Sequence, residues 1–499
     1  MRTYMPNESR FYTEEPYVKK NTFIGSEPKC GILPEYGSVK DKLPVPVVGG
    51  RDDIVRCYNK VWEIAFRNLM NPTDGSGFVS DFIDTGFNGA LFMWDSSFIL
   101  SFAKYGRRAF DFQKTLDNFY ARQHADGFIC REIRESDGGD YFARHDPIST
   151  GPDIMGWCEW EYYVATGDVG RLKRVFDPLM AYHNWYRENR TWRDGTYWSS
   201  GWGCGMDNTP RLEDGYNVSF SHGHMVWVDI CFQQILSAKS LVKIAKVIGR
   251  EDEVQPLKDE ISNLERIVNE TLWDRGTSFY YDRWKDGRLN MVMSVASYWA
   301  MLSESVPQDR IDSFAAHLDN PNEFKRVHCV PSLSASDRHF VPTGGYWCGS
   351  VWAPTTYMVL KGLEKYGKGR LAHEIAVNHV ENVTACFEKT GTLWENYSPD
   401  EFGTQSSHRG DFVGWTGLVP VAVLFENVIG IRSDILNNAV TWNVNLTCRH
   451  GIMNYPVGPD KTVDLICSER NSDDDMPKIT KSRDDVEICI KWKHGIFKI

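Results

Sequence analysis

Apolar side chains recur at helical spacing through most of the chain. The stretch 51–70, "RDDIVRCYNKVWEIAFRNLM", places them on one face and opens with two acids in its first turn, which predicts an amphipathic helix. The same periodicity predicts helices over 92–105, 109–122, 151–166, 169–188, 223–247, 251–272, 288–304, 307–317, 349–367, 369–389 and 413–429. Long segments rich in Gly, Trp and acids separate alternate helices, at 72–91, 124–150, 190–222, 328–348 and 390–412. Short turns such as "TGDVG" (166–170) and "KYGKG" (365–369) separate the others. Alternating short and long connections are expected of helical hairpins stacked into a ring, with the short turns on one face and the long loops on the other. About twelve helices in that order predict an all-α fold, an (α/α)6 barrel over 51–430, with functional side chains gathered on the long loops.

The ends of the chain read differently. After 431 the period changes to two in "VTWNVNL", "KTVDLICSE", "VEICIKW" and "GIFKI", which predicts a small β-rich domain over 431–499. Residues 1–50 are rich in Pro, Gly and Lys and lack periodicity, as expected of an extended arm on the surface of a domain.

Composition narrows the possible functions. The 499 residues carry a formal net charge of -11, which argues against nucleic acid or an anionic membrane surface as partner. No apolar run reaches the ~18 residues of a membrane-spanning helix. The twelve Cys include no Cys-x-x-Cys pair, so they predict buried free thiols and give a weak preference for a reducing, cytoplasmic compartment. The N-terminal stretch lacks the apolar core of a signal peptide, although such a segment is removed on export. Eighteen Trp are many, and a good part of them sit beside Gly and acids outside any helical stripe. Flat aromatic faces in such settings stack on sugar rings.

Two acids stand out among these aromatics. Asp207 lies in "SGWGCGMDNTPR" (200–211), near Trp198 and Trp202 and among three Gly; Glu395 lies in "TGTLWENYSPDEFG" (390–403), between Trp394 and Tyr397. A carboxyl partly buried against indole rings keeps its proton to higher pH, as a general acid requires. Plainer roles also fit: Asp207–Asn208 as a turn pair, and Glu395 as a surface residue of a hairpin. Asp95 follows Trp94 in "FMWDSSFIL", where it also fits a helix N-cap. Further binding candidates are Gln123, Arg144 and His145 in the second long loop, Trp347 and Trp352 in "PTGGYWCGSVWAP", and Gln405 and Trp415 near "SSHRGDFVGWTG". Together these loops offer stacking walls and hydrogen-bonding groups suited to a small carbohydrate. No cofactor or metal is expected, and oligomeric state is left open.

The segments "MWDSSF", "SGWGCGMDN", "GGYWCGSVWAPTTYMVLKGLEKYG" and "LWENYSPDEFG" occur in an order that resembles the trehalase-like glycoside hydrolases, families 63 and 37, near the mannosylglycerate and glucosylglycerate hydrolases. The resemblance spans roughly 52–430. It implies an (α/α)6 barrel and an inverting α-glycosidase, with Asp207 as general acid and Glu395 as general base. Trp94 and Asp95 would line the sugar subsite, Gln123 would bind hydroxyls, and Trp347 and Trp352 would form aromatic walls. The chain departs from the family pattern with Cys130 where Pro is usual, and with Cys348 and Ser350 in place of Arg and Pro. Three other readings remain. A phosphorylase would need a cationic pocket in place of a second carboxylate. An epimerase or isomerase would use paired His, for which His124, His145, His222, His224 and His408 are available. A carbohydrate-binding protein would have lost catalysis.

Overall fold

The helix Met93–Ala103 is buried along its whole length, because "MWDSSFILSFA" is apolar or small on every face. It sits at the centre of the fold in this computed structural model, which describes residues 13–86, 88–212, 215–401, 409–437 and 439–499. Its neighbour on one side is Met155–Thr166, which packs in turn on Val228–Ile248. Contacts continue through Trp299–Leu302 to Ala353–Lys365, then to Thr416–Leu418, and from there back to Met93–Ala103. Six helical segments therefore meet in a closed cycle of contacts.

Amphipathic helices lie outside that cycle. Asp52–Arg67 buries Ile54, Val61, Trp62 and Ala65, and packs on Gly369–Thr390 and on the π-helical turn series Val419–Ile429. Val169–Asn189 packs on both Met155–Thr166 and Val228–Ile248, and Gln255–Thr271 packs on Val228–Ile248. The predicted short turns join these pairs. At 166–168, Gly167 takes the left-handed conformation that ends one helix, and Asp168 Oδ1 accepts from Arg171 N at 2.8 Å to cap the next. The stretch predicted as one helix over 288–304 is instead a strand, Leu289–Asn290, followed by a 3-10 turn, Val295–Tyr298, and the short helix Trp299–Leu302. Most of the twelve thiols are buried and all are free; Cys30 is exposed. Among the described residues, no helix is long and apolar enough to cross a membrane.

Two four-stranded sheets are built mainly from the chain after Val419–Ile429. One pairs Ile431–Asp434, Ala439–Asn443, Ile488–Trp492 and Gly495–Lys498 in that order, with a parallel contact between its two central strands. The other, antiparallel throughout, runs Val45–Val48, His450–Val457, Lys461–Cys467, Ile479–Lys481. Its first strand comes from the arm: Val45 faces Met453 and Val48 faces His450. "VPVV" reads weakly as a strand because Pro cannot donate to a ladder, and Pro46 is tolerated here because the strand lies at the sheet edge.

Candidate active site

The long loops converge over one end of the helix cycle, where helix N-termini gather. Trp94 and Asp95 begin Met93–Ala103, Gly151 and Pro152 precede Met155–Thr166, Trp347 precedes Ala353–Lys365, and Trp415 precedes Thr416–Leu418. With Asn88, Phe92, Arg131, Glu132, Trp202, Gly205, Asp207, Tyr346 and Glu395 they enclose a cleft of ≈ 220 Å³. That is below the range of about 300–1,000 Å³ for a pocket taking a drug-sized ligand. Its size suits a single sugar ring.

The Asp207 loop owes its path to glycine. Ser200 Oγ accepts from Gly203 N at 3.1 Å and caps the single helical turn Gly201–Cys204, which Gly205 ends at φ 79°. A Cβ on Gly205 would stand 3.2 Å from the Trp94 ring, and one on Gly201 would stand 2.4 Å from Asp207 O. Beyond the acid, the buried Arg211 guanidinium forks to Asp229 at 2.7 and 2.9 Å and to Asp282 at 2.7 and 2.6 Å, pinning the loop. Asn208 joins this loop to the next: its Oδ1 accepts from Trp347 N at 2.8 Å and its Nδ2 donates to Gly345 O at 3.2 Å. The Trp347 loop meets the Glu395 loop through an antiparallel bridge between Val351 and Tyr397. Tyr346, held at φ 62°, donates its hydroxyl to Glu395 Oε1 at 3.4 Å. Trp415 Nε1 donates to Glu395 O at 2.8 Å, and Glu395 N donates to Arg409 O at 2.8 Å.

This packing raises the proton affinity of the carboxyls. Burial pushes Asp207 up to about 6 against the opposing charge of Arg131. Burial lifts Glu395 to about 7, with the Tyr346 hydrogen bond opposing and the Asp207 charge adding to the rise. Asp95, 4% exposed, lies well above the usual carboxylate range, through burial first and then the charges of Glu395 and Glu132. Its Oδ1 and the Trp94 indole N–H make no hydrogen bond among the described residues, leaving both for a hydroxylated ligand.

Of the residues expected from sequence, Asp207, Glu395, Trp94, Asp95, Trp202, Trp347 and Trp415 all line the cleft. Trp352 stands behind it, stacked on Trp347 with ring centroids 4.0 Å apart and planes 1° apart. Three expected residues are elsewhere. Gln123 is buried with its amide fully used: its Oε1 accepts from Asn21 Nδ2 at 2.9 Å, and its Nε2 donates to Gly127 O and Pro178 O. It clamps the arm to the helices. Arg144 is buried in an ion pair with Asp126 at 3.0 Å, and His145 is exposed outside the cleft. Gln405 lies outside the described residues, as does His408. Glu132 and Tyr346 line the cleft without having been singled out; Tyr346 lies within "PTGGYWCGSVWAP", and for Glu132 an acid beside Arg in "CREI" (130–133) was the available signal. Among the described residues, no three His, Cys, Asp or Glu side chains gather as a metal site.

Comparison with known proteins gives a consistent family. An uncharacterized protein from Borreliella burgdorferi is 24% identical over 379 residues, 74% of this chain and 77% of that one. A probable mannosyl-oligosaccharide glucosidase from Schizosaccharomyces pombe is 25% identical over 290 residues; the match takes in 51% of this chain and 35% of the glucosidase. The crystal structure of a GH63 mannosylglycerate hydrolase from Thermus thermophilus in complex with glucose matches 73% of this chain and 99% of that one, at a TM-score of 0.60 and 22% identity. The family model for the mannosylglycerate hydrolase MGH1-like glycoside hydrolase domain matches residues 90–416, more than half of the chain, and the chain therefore belongs to this family of glycoside hydrolases.

Proposed function

We propose that the chain is an inverting, exo-acting α-glycosidase that hydrolyses a small α-linked glucoside or mannoside, built on an (α/α)6 barrel whose inner helices are the closed cycle described above. One observation carries the reading. Two carboxyls of raised proton affinity, from loops far apart in sequence, face one sugar-sized cleft walled by Trp94, Trp202, Trp347 and Trp415.

In this mechanism the sugar ring sits on the indole faces, and Asp95 and the Trp94 N–H take its hydroxyls. Protonated Asp207 gives its proton to the glycosidic oxygen as the bond to the anomeric carbon breaks. Ionised Glu395, positioned by Tyr346, takes a proton from a water that attacks the opposite face. Inversion requires room for that water, with the carboxyls roughly 6.5–9.5 Å apart. The charge that develops on the ring is met by nearby carboxylates. The closed, largely buried floor supports attack at a chain end.

The alternatives find less support in the same cleft. Its one cation among the described lining residues, Arg131, is paired with Glu132, which does not suit a phosphate co-substrate. His124, His145, His222 and His224 do not line it, so the described histidines supply no acid/base pair for an epimerase.

Proton NMR of the reaction on α-glucosides and α-mannosides, with D207N as control, tests the proposal. The β-anomer is expected first, and is lost in the control. The α-anomer appearing first, or undiminished turnover in D207N, would overturn it.

A further inference from the structure

The cleft holds four carboxyl groups, Asp95, Glu132, Asp207 and Glu395, and one cation, Arg131, among its described lining residues. That cation is already committed. Its guanidinium lies 2.5 Å from Glu132 Oε1, and its Nε donates to Ile148 O at 2.8 Å. The guanidinium carbon sits 4.9 Å from the centre of the Phe142 ring and 5.7 Å from that of Trp202. The pair is largely buried, with side-chain exposures of 14% and 8%, so salt screens it weakly.

The position of the pair assigns it to one side of the bond that breaks. Trp347, Asp95, Trp415 and Trp94 are almost fully buried and form the floor. Trp202 and Phe142 are partly exposed and mark the mouth. Arg131 and Glu132 line the cleft together with Asp207, and the Arg131 guanidinium lies against the two rings at the mouth, Phe142 and Trp202. With the sugar on the floor and its glycosidic oxygen at Asp207, the leaving group points outward, against Trp202 and the Arg131–Glu132 pair. Cys348, on the neighbouring loop, brings no charge to this side; its thiol donates to Asn208 O at 3.3 Å.

We propose that Glu132 sets the charge of the leaving group: by neutralising Arg131, it makes the outer subsite accept a neutral, hydroxylated aglycone and reject one that bears a carboxylate. The inference rests on the hydrolytic reading above. A neutral polyol accepts a hydrogen bond from Arg131 and donates one to Glu132, so both partners are used. A carboxylate at the same place meets Glu132 directly and adds a negative charge to a cleft that already holds four acids. Replacing Glu132 by Gln keeps the shape and releases the guanidinium, which then offers a carboxylate its two-pronged face.

The test compares two glycosides of the same sugar and linkage, one carrying glycerol and the other glycerate. kcat/KM is measured for the native protein, and the dissociation constant of each glycoside for D207N is measured by calorimetry. The native protein is expected to favour the glycerol compound at least about tenfold. In E132Q the ratio should move at least about tenfold toward glycerate. Adding R131M to E132Q should cancel that gain, which a general loosening of the cleft would not do. Equal or better handling of the glycerate compound by the native protein overturns the proposal, as does an unmoved ratio in E132Q. If the native protein cleaves neither compound while D207N binds the glycerol compound more tightly, the hydrolytic reading fails and the charge rule stands. Binding of neither to D207N overturns the charge rule.

Discussion

The two ends of the same helices bury charge in opposite ways. At the cleft, Asp95, Asp207 and Glu395 have little to neutralise them, and burial drives all three toward the protonated form. At the far end, near a cavity of ≈ 540 Å³, three acids meet three cations. Lys104 lies 3.0 Å from Glu426, Lys361 lies 2.6 Å from Glu161 and 3.6 Å from Glu426, and Arg432 pairs with Glu364. The hydroxyls of Tyr105 and Tyr357 also reach Glu426, at 2.9 and 3.1 Å. Burial alone would raise Glu426, but the charges of Lys104, Lys361 and Arg432 overcome it and hold the group well below the usual carboxylate range. Depth does not decide the protonation state at either end. Partners do, and the end that lacks them is the end where the proposed sugar site lies.

The comparison can be broken most sharply at the unneutralised end. D207N and E395Q are each expected to slow hydrolysis about 10²–10⁴-fold while keeping the fold, read as kcat/KM together with an unchanged circular dichroism spectrum. At the neutralised end the loss should fall on stability. E426Q leaves Lys104 buried without its carboxylate partner and Lys361 with Glu161 alone, and is expected to cost about 3–5 kcal/mol in denaturant unfolding. Unchanged stability there would mean that water, and not Glu426, answers those two charges.

Asp207 gives the reverse sign. Its folded-state value of about 6 lies above its ordinary 3.8, so above pH 6 the folded protein carries a buried charge that the unfolded chain leaves in water. D207N should therefore stabilise the protein by about 2–3 kcal/mol at pH 8 and by almost nothing at pH 4. The reaction itself needs one proton on the Asp207–Glu395 pair. kcat/KM is expected to peak between about pH 6 and 7 and to fall about tenfold per unit, or ~1.4 kcal/mol, on either side. Smallest is the removal of the stack behind Trp347. W352L should raise KM a few-fold, about 1 kcal/mol, with kcat unchanged.

The outer helices, such as Asp52–Arg67 and Gln255–Thr271, were legible because their apolar faces have a period that single residues cannot hide. Starts such as Asp168 and ends such as Gly167 also announce themselves by residue type. The cleft was legible where an acid sits among Trp and Gly, as at Asp207 and Glu395. It was illegible where side chains of the same kind are used inside the fold. Gln123 has the chemistry to bind hydroxyls, but the arm residue Asn21 and two carbonyls claim it, and no local pattern reports a partner so far away in sequence. Arg144 is lost in the same way to Asp126. Glu132 was passed over for the opposite reason. It sits in a three-residue strand, Glu132–Arg134, too short to show which face turns inward.

The edge strand Val45–Val48 ties the arm to a sheet whose other strands come after all the helices. During synthesis this segment emerges early, and its partner His450–Val457 leaves the ribosome only once the helices between them have been made. The helices can pack as they appear, but the sheet waits for both, so closing it is a late step of high contact order. A fragment that keeps the helices and drops the arm would bare the main-chain groups along His450–Val457, an invitation to pair with another copy. Expression fragments should therefore keep the arm and the sheet together.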